Sequence, residues 1–134
     1  MSTTTSDTNI DIIRAAYAAF ADGDIPAVLG VLADDIVWHV PGQNPLSGDY
    51  RGREEVLGFF AAMAERSGGT FNITVDRVLG DGAGAVAVLT TERGQRAGMQ
   101  LDTIAVHVWR FDEGSAVSFR GYQSDDHTWN AFWT

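Results

Sequence analysis

Two histidines are the side chains of this sequence best suited to proton transfer. His107 lies in the stretch MQLDTIAVHVWRFD, residues 99–112, which has the alternating pattern of a long strand. On its own face His107 is the single ionisable group among apolar neighbours, so it needs a hydrogen-bond partner. His39 lies near the end of a second apolar stretch, residues 36–40. Because imidazole titrates near neutral pH, each histidine is a candidate general acid or base.

Each histidine also has a plainer interpretation, as a pocket residue that only binds a ligand or as a satisfied core residue. The third, His127, follows Asp125 and Asp126, a pattern more typical of a helix cap than of chemistry. None of the three has the helical spacing of a metal-ligand pair, and there is no cysteine. The glycine-rich stretch at 80–84 lies between two predicted strands and indicates a hairpin turn rather than a nucleotide site. We therefore expect no metal and no cofactor.

The composition excludes several other kinds of function. The chain has 134 residues, which suits a single domain over 1–134, and its net charge is −9. That charge argues against nucleic acid and against an anionic membrane surface as partners. With no lysine and no cysteine, Schiff-base and thiol chemistry are also excluded. Without a membrane-length apolar run or the features of a signal peptide, the sequence predicts a soluble cytoplasmic protein.

The elements that must position the histidines follow from hydrophobic periodicity. Residues 1–8 are polar, and we expect them to be disordered. Helices are predicted over about 9–22, from about 24, and over 53–66, and strands over 36–40, 71–79, 83–93, 99–112 and 116–124, with a last helical turn or two within 125–133. A long polar loop covers 41–52. This order predicts an α+β fold, with about three helices packed on the concave face of a cone-shaped, curved antiparallel sheet.

The order of elements and several stretches resemble the nuclear-transport-factor-2-like superfamily, in its SnoaL-like and ketosteroid-isomerase-like branch. The resembling stretches are YAAFADGDIPAVLGVLADDIVWHV at 17–40, LSGDYRGREEV at 46–56, LDTIAVHVWRFDEG at 101–114 and DDHTWNAFW at 125–133. The resemblance implies a cone with a small-molecule pocket at its open end. It says little about the reaction, because this fold hosts many.

The active-site residues depart from those of the ketosteroid isomerases. Those enzymes place a catalytic aspartate near the end of the first strand, where this sequence has His39. They place a protonated aspartate on a central strand, where this sequence has His107, and their helix tyrosine falls within one residue of Tyr17. This departure argues against steroid isomerisation. What the resemblance keeps is the geometry of two ionisable groups, here both imidazoles, aimed into one cone.

The predicted pairing of strands 99–112 and 116–124 adds Arg120 and Tyr122 to the predicted pocket. If residues 113–114 form a two-residue hairpin turn, His107 faces Arg120 and Ala105 faces Tyr122 across the sheet. A slip of one residue would move both to the opposite face. A half-exposed strand position is an equally good interpretation of Arg120. The complete set of predicted substrate-binding residues is Tyr17, Trp38, Phe60, Trp109, Arg120 and Tyr122.

An apolar band is expected on the other face of the sheet. It consists of Ile104, Val106, Val108, Val117 and Phe119. Either helices cover this band or it joins two copies of the chain, and the resemblance favours a homodimer through the sheet.

The predicted function is that of a cofactor-independent enzyme acting by proton transfer on a small, mostly apolar organic molecule. Isomerisation, cyclisation, hydration and dehydration all suit such a site. The alternatives are a non-catalytic pocket for a hydrophobic ligand and a scaffold that serves only association. We also predict that loop 41–52 and the aromatic tail 125–134 control the mouth of the pocket, although a tail that only adds stability, on the flank of the cone or across a dimer interface, is slightly favoured.

Overall fold

The computed structural model describes residues 5–134, with side chains from residue 8 onward. In this part of the chain there are four helices and six strands. In chain order they are α1 (Thr5–Ala21), α2 (Ile25–Leu29), β1 (Leu32–Val40), β2 (Gly48–Arg51), α3 (Gly52–Ser67), β3 (Asn72–Gly80), β4 (Ala85–Arg96), β5 (Met99–Asp112), β6 (Ser115–Gln123) and α4 (Asp126–Trp133).

The first helix forms because its apolar residues recur at helical spacing. Ile10, Ile13, Tyr17 and Phe20 share one face, and Ile13 is completely buried. The helix begins at Thr5, so residues 5–8 are helical where disorder was predicted, and residues 1–4 lie outside the described residues. Gly23, with a φ of 76°, follows the helix and allows the turn into α2.

The six strands form one open, curved sheet in the order β2-β1-β6-β5-β4-β3. Neighbouring strands are antiparallel, except that β1 runs parallel to β6. Helix α1 packs on β3 and β4, α3 packs on β1 and β2, and α4 packs on β5. The predicted α+β class with a curved sheet is confirmed. Strand β2 lies inside the stretch predicted to be all loop, which leaves residues 41–47 as the irregular connection.

A bulge in β6 changes the predicted pairing of β5 with β6. Asp112 faces Ser115 across the turn, as expected, but Arg110 faces Ser118 and Phe111 faces Ala116. Val117 is therefore an extra residue in β6. A single extra residue shifts every later pair by one position, which exchanges the two faces of the strand.

The predicted positions of Arg120 and Tyr122 were wrong for this reason. His107 faces Gly121, Val108 faces Arg120 and Val106 faces Tyr122. Arg120 and Tyr122 thus lie on the outer, convex face, and Tyr122 is 50% exposed. Phe119, which was predicted on the outer face, is buried on the inner one.

The two histidines do not share a face either. In β1, Trp38 and Val40 are buried on the concave side, whereas His39 points the other way and faces Arg120 of β6. The expectation that both imidazoles enter one cone was therefore wrong. The cause is the period of two along β1, since the inward position belongs to Trp38.

Candidate functional site

A cavity of about 60 Å³ lies between the concave face of the sheet and helices α1 and α3. Five of the predicted residues line it: Tyr17, Trp38, Phe60, His107 and Trp109. Most of the remaining wall is aromatic or aliphatic, including Phe20, Phe59, Met63, Phe71, Phe119 and Trp129. A mostly apolar wall with a few polar groups is typical of a small-molecule site.

The aromatic rings of the wall hold one another in place. Trp38 of β1 stacks on Phe119 of β6, with ring centroids 3.8 Å apart and planes inclined by 12°. Trp109 meets the ring of Trp38 edge-on at 5.3 Å. Such contacts stabilise a fixed geometry beyond the burial of area. This packing depends on the parallel β1–β6 pair, which places Trp38 beside Phe119.

The polar part of the wall is a row of hydrogen bonds centred on His107. His107 Nδ1 lies 2.6 Å from the Tyr17 hydroxyl, and His107 Nε2 lies 3.0 Å from Glu92 Oε2. The indole Nε1 of Trp109 donates to the Tyr17 hydroxyl over 3.1 Å. Both His107 and Glu92 are almost completely buried, at 5% and 2% exposure. We call the three residues Tyr17, His107 and Glu92 the relay.

The carboxylate end of the relay is held by two further side chains. Gln123 Nε2 donates to Glu92 Oε1 over 2.6 Å, and Thr103 Oγ1 donates to Gln123 Oε1 over 3.0 Å. Among the described residues, the one ion-pair partner of Glu92 is His107, which is charged only when its ring is protonated. A buried carboxylate with so few partners is costly, so the donors at both oxygens are what keep it in place.

Sequence reasoning missed Glu92, Gln123 and Thr103. In β4 the buried positions alternate as Val86, Val88, Thr90 and Glu92, so the period of two already placed Glu92 on the concave face. That alternation was the available signal. Register alone sets Glu92 opposite Thr103 and His107 opposite Val88, four residues apart along β4. Only the curvature of the sheet and the length of the two side chains bring them into contact.

Tyr17 keeps its proton in this setting. Burial raises the pKa of the Tyr17 hydroxyl far above its usual range, the hydrogen bond from Trp109 partly offsets this, and the nearby charge of Glu92 adds to the rise. Tyr17 is therefore a neutral hydroxyl that takes part in hydrogen bonds as both donor and acceptor.

The connection 41–47 and helix α4 meet at the edge of the cavity. Trp129 lines the cavity and its Nε1 donates to the carbonyl of Pro41 over 3.1 Å. Asn130 Oδ1 accepts from the backbone of Gln43 at 2.7 Å and from Asn44 Nδ2 at 3.0 Å. Gly42 has a φ of 98° and a Cβ there would collide with Asn130. Loop and tail are therefore in direct contact, and their control of the mouth of the pocket stays a prediction.

The other aromatics of the tail lie in the core. Phe132 is 1% exposed and Trp133 is completely buried. Arg66 Nη1 donates to the carbonyl of Trp133 over 2.9 Å, which ties the tail to α3. Helix α4 thus contributes one residue to the cavity wall and two to the stability of the domain.

The second histidine lies in a different cluster on the outer face. His39 Nδ1 donates to Asp49 Oδ1 over 2.6 Å, and Arg51 Nη2 lies 3.8 Å from the same carboxylate. The hydrogen bond from His39 lowers the pKa of Asp49, and the charges of His39, Arg51 and Arg120 act in the same direction. The guanidinium of Arg120 lies 6.0 Å from the ring centre of Tyr122. None of these five side chains lines the described cavity.

The described residues contain no group of three or more His, Cys, Asp or Glu side chains that could hold a metal ion. Among their helices, none is both long enough and apolar enough to cross a membrane.

Comparisons with known proteins relate the whole domain to one family. The sequence model of the SnoaL-like domain matches residues 13–119. An uncharacterized protein of Mycobacterium tuberculosis is 30% identical over 129 residues, covering 96% of this chain and 98% of its own. Bal32a, from a soil-derived mobile gene cassette, is similar in structure, with a TM-score of 0.93, 29% identity, and coverage of 96% of this chain and 98% of Bal32a.

A third similar structure was obtained with a ligand. TerC, co-crystallized with polyporic acid, has a TM-score of 0.79 and 26% identity, covering 87% of this chain and 92% of TerC. Other similar structures are NTF2-like proteins from Burkholderia. The fold is thus that of a family consistent with the binding of small molecules. Since the family model matches most of the chain, this protein belongs to the SnoaL-like domain family, within the NTF2-like superfamily.

Proposed function

We propose that this protein is a cofactor-independent enzyme that moves protons on a small, mostly apolar organic molecule bound in the cavity. The observation that carries the proposal is the relay, in which a neutral hydroxyl, an imidazole and a buried carboxylate are joined at an otherwise apolar wall. Isomerisation, cyclisation, hydration and dehydration are the reaction types that such a relay suits.

His107 is the general acid and base in this proposal. Positioned proton transfer of this kind contributes about 10²–10⁴-fold to a rate. Glu92 acts as a positioning residue, because its carboxylate faces Nε2 and stabilises the imidazolium that forms when His107 accepts a proton. Tyr17 and His107 both line the cavity, and because the Tyr17 hydroxyl is bonded to His107 Nδ1, we assign the contact with the substrate to that hydroxyl.

Two further observations support a ligand in this cavity. Its wall is mostly aromatic and aliphatic, and apolar surroundings strengthen each polar interaction inside. TerC, whose fold is similar, was co-crystallized with polyporic acid.

The test begins by finding a ligand. Native mass spectrometry of the protein after incubation with a metabolite extract identifies bound molecules, whose turnover is then assayed with wild type, His107→Gln and His39→Gln. We expect His107→Gln to lose about 10²-fold or more in rate, and His39→Gln, the matched control on the outer face, to keep the wild-type rate. Equal rates in all three proteins would contradict the mechanism. A ligand that binds without any turnover would indicate a non-catalytic binding protein.

We also infer that a second copy of this chain covers the outer face of the sheet. Ile104 is 58% exposed and Tyr122 is 50% exposed, and Val106 and Val108 between them are half-buried. Large apolar side chains side by side on one sheet face are typical of an interaction surface. We therefore propose an isologous dimer through this face, which is the homodimer predicted from the sequence.

A further inference from the structure

We propose that the molecule bound in this cavity is a hydroxyl donor, a phenol or an enol, whose O–H donates to Tyr17. A simple carbonyl compound, which only accepts hydrogen bonds, is not the preferred ligand. The inference depends on the proposed function, since it assigns a ligand class to the same cavity. It comes from the direction in which each hydrogen bond of the relay must run.

Trp109 is the first residue that fixes the direction of the hydrogen bonds in the relay. An indole N–H donates and never accepts, so Tyr17 must be the acceptor of the 3.1 Å bond from Trp109 Nε1. A tyrosine hydroxyl has one proton and two lone pairs. After the bond from Trp109, it has one lone pair and its own proton left.

At the other end of the relay, Glu92 also fixes the direction of the hydrogen bonds. Its Oε1 accepts from Gln123, and its Oε2 lies 3.0 Å from His107 Nε2. A carboxylate only accepts, so Nε2 carries the hydrogen of the neutral imidazole. Nδ1 is then the acceptor, and the proton of Tyr17 is committed to the 2.6 Å bond with His107.

One lone pair of Tyr17 is therefore left, and no described residue donates to it. Tyr17 lines the cavity, and in this proposal the lone pair accepts from the ligand bound there. The indole Nε1 of Trp38 also lacks a partner among the described residues, but that nitrogen has almost no accessible surface. A ligand that donates to Tyr17 completes the hydrogen bonds of the relay, whereas a carbonyl oxygen would face another lone pair.

The same arrangement provides a path for the ligand's proton. As the ligand O–H bond breaks, its proton forms a new O–H bond on Tyr17, and the original Tyr17 proton moves to His107 Nδ1. The oxygen of the ligand becomes an anion that accepts from Tyr17, and the imidazolium faces the carboxylate of Glu92. Tyr17 takes part in three hydrogen bonds before and after the transfer, so neither state leaves the Tyr17 hydroxyl with an unpaired donor or acceptor.

Three probes of similar size and shape test the ligand class. Isothermal titration calorimetry measures the binding of 4-methylphenol, 4-methylanisole and 4-methylacetophenone, of which only the first has a hydroxyl. We expect 4-methylphenol to bind about tenfold more tightly than the other two. In Tyr17→Phe the three affinities become similar, whereas Tyr50→Phe, the matched control at a hydroxyl that donates to Leu46, keeps the preference.

Nitrogen-15 NMR of the histidine rings tests the direction of the relay without any ligand. In the neutral form of the His107 ring we expect a proton on Nε2 and none on Nδ1, and we expect the same tautomer in Trp109→Phe, because Glu92 still accepts from Nε2. A proton on Nδ1 in the wild type, or a ketone that binds as tightly as the phenol, would overturn the inference and leave the proposed function standing. Binding of none of the three probes would overturn both.

Discussion

His107 and His39 make similar contacts in very different surroundings. Each donates to a carboxylate, His107 to Glu92 over 3.0 Å and His39 to Asp49 over 2.6 Å. The His107 pair is buried on the concave face, with side chains 7% and 2% exposed, whereas the side chains of the outer pair are 29% and 44% exposed. The shorter bond is the one in contact with solvent.

Surroundings, not distance, therefore decide what an imidazole–carboxylate pair does. Water screens the outer pair, and exposed pairs of this kind contribute about 0–1 kcal/mol. In the apolar interior, removal of one partner leaves a buried charge unpaired. Protonation of His107 therefore changes the charge of the buried cavity wall, whereas protonation of His39 affects little except its own contact with Asp49.

The largest expected effect comes from uncovering the inner face. Deletion of residues 126–134 removes the buried side chains of Trp129, Phe132 and Trp133. Loss of one buried large aromatic costs about 3–5 kcal/mol, so the deletion approaches the whole stability of a small domain. We expect insoluble or unfolded protein by circular dichroism.

A milder variant separates the covering role of the tail from its contact with the loop. Asn130→Ala removes the hydrogen bonds to Gln43 and Asn44 and keeps the aromatic burial. We expect it to fold and to release bound probe faster. A folded truncation with unchanged probe binding would show that α4 does not cover the inner face.

The next largest effect is a difference in the free energy of unfolding between variants of the two histidines. His107→Ala leaves Glu92 with Gln123 as its remaining donor, and we expect a loss of about 3–5 kcal/mol in the free energy of unfolding. His39→Ala is expected to lose less than about 1 kcal/mol, because the outer pair is partly exposed. Urea denaturation of both variants measures the difference. Equal losses would remove the basis of the comparison.

A smaller effect is expected from a charge on the outer face. It tests whether a second copy of the chain covers that face. Ile104→Arg places a charge in the centre of the proposed dimer interface. We expect the dissociation constant of the dimer to rise at least about tenfold. Light scattering across a concentration series measures it, with Asp102→Arg on the same face as the control. A wild-type protein that is monomeric at micromolar concentration would contradict the dimer, and His39 would then stay open to solvent.

The smallest expected effect is on the stability of the fold at acid pH. The pKa of Asp49 is lowered in the folded chain, with the hydrogen bond from His39 as the largest cause. Its contribution to stability is therefore complete above the unfolded value of 3.8 and is lost as the pH falls through the lower folded pKa. We expect the melting temperature of the wild type to fall slightly more than that of Asp49→Asn over this acid range. Identical acid dependence would show that the outer pair contributes nothing.

The sequence by itself determined the elements and the inward position of His107. Hydrophobic period alone located α1, α3 and the long strand β5, whose predicted bounds of 99–112 agree with the structure. These features are local, because a helix face and the period of a strand depend on residues only a few positions apart. The same rule contained the inward position of Glu92, although not its partner.

Tertiary structure decided which side chains meet. The extra residue Val117 in β6 is a choice of backbone hydrogen bonds, which the pattern of apolar residues on either side of it does not specify, and it moved Arg120 and Tyr122 out of the cavity. Likewise, the curvature of the sheet joined His107 to Glu92, and the packing of α1 brought Tyr17 to the other side of the imidazole. These contacts join residues 15 and 90 positions apart. They arise only when the helices fold over the sheet, and for that reason a local pattern in the sequence does not contain them.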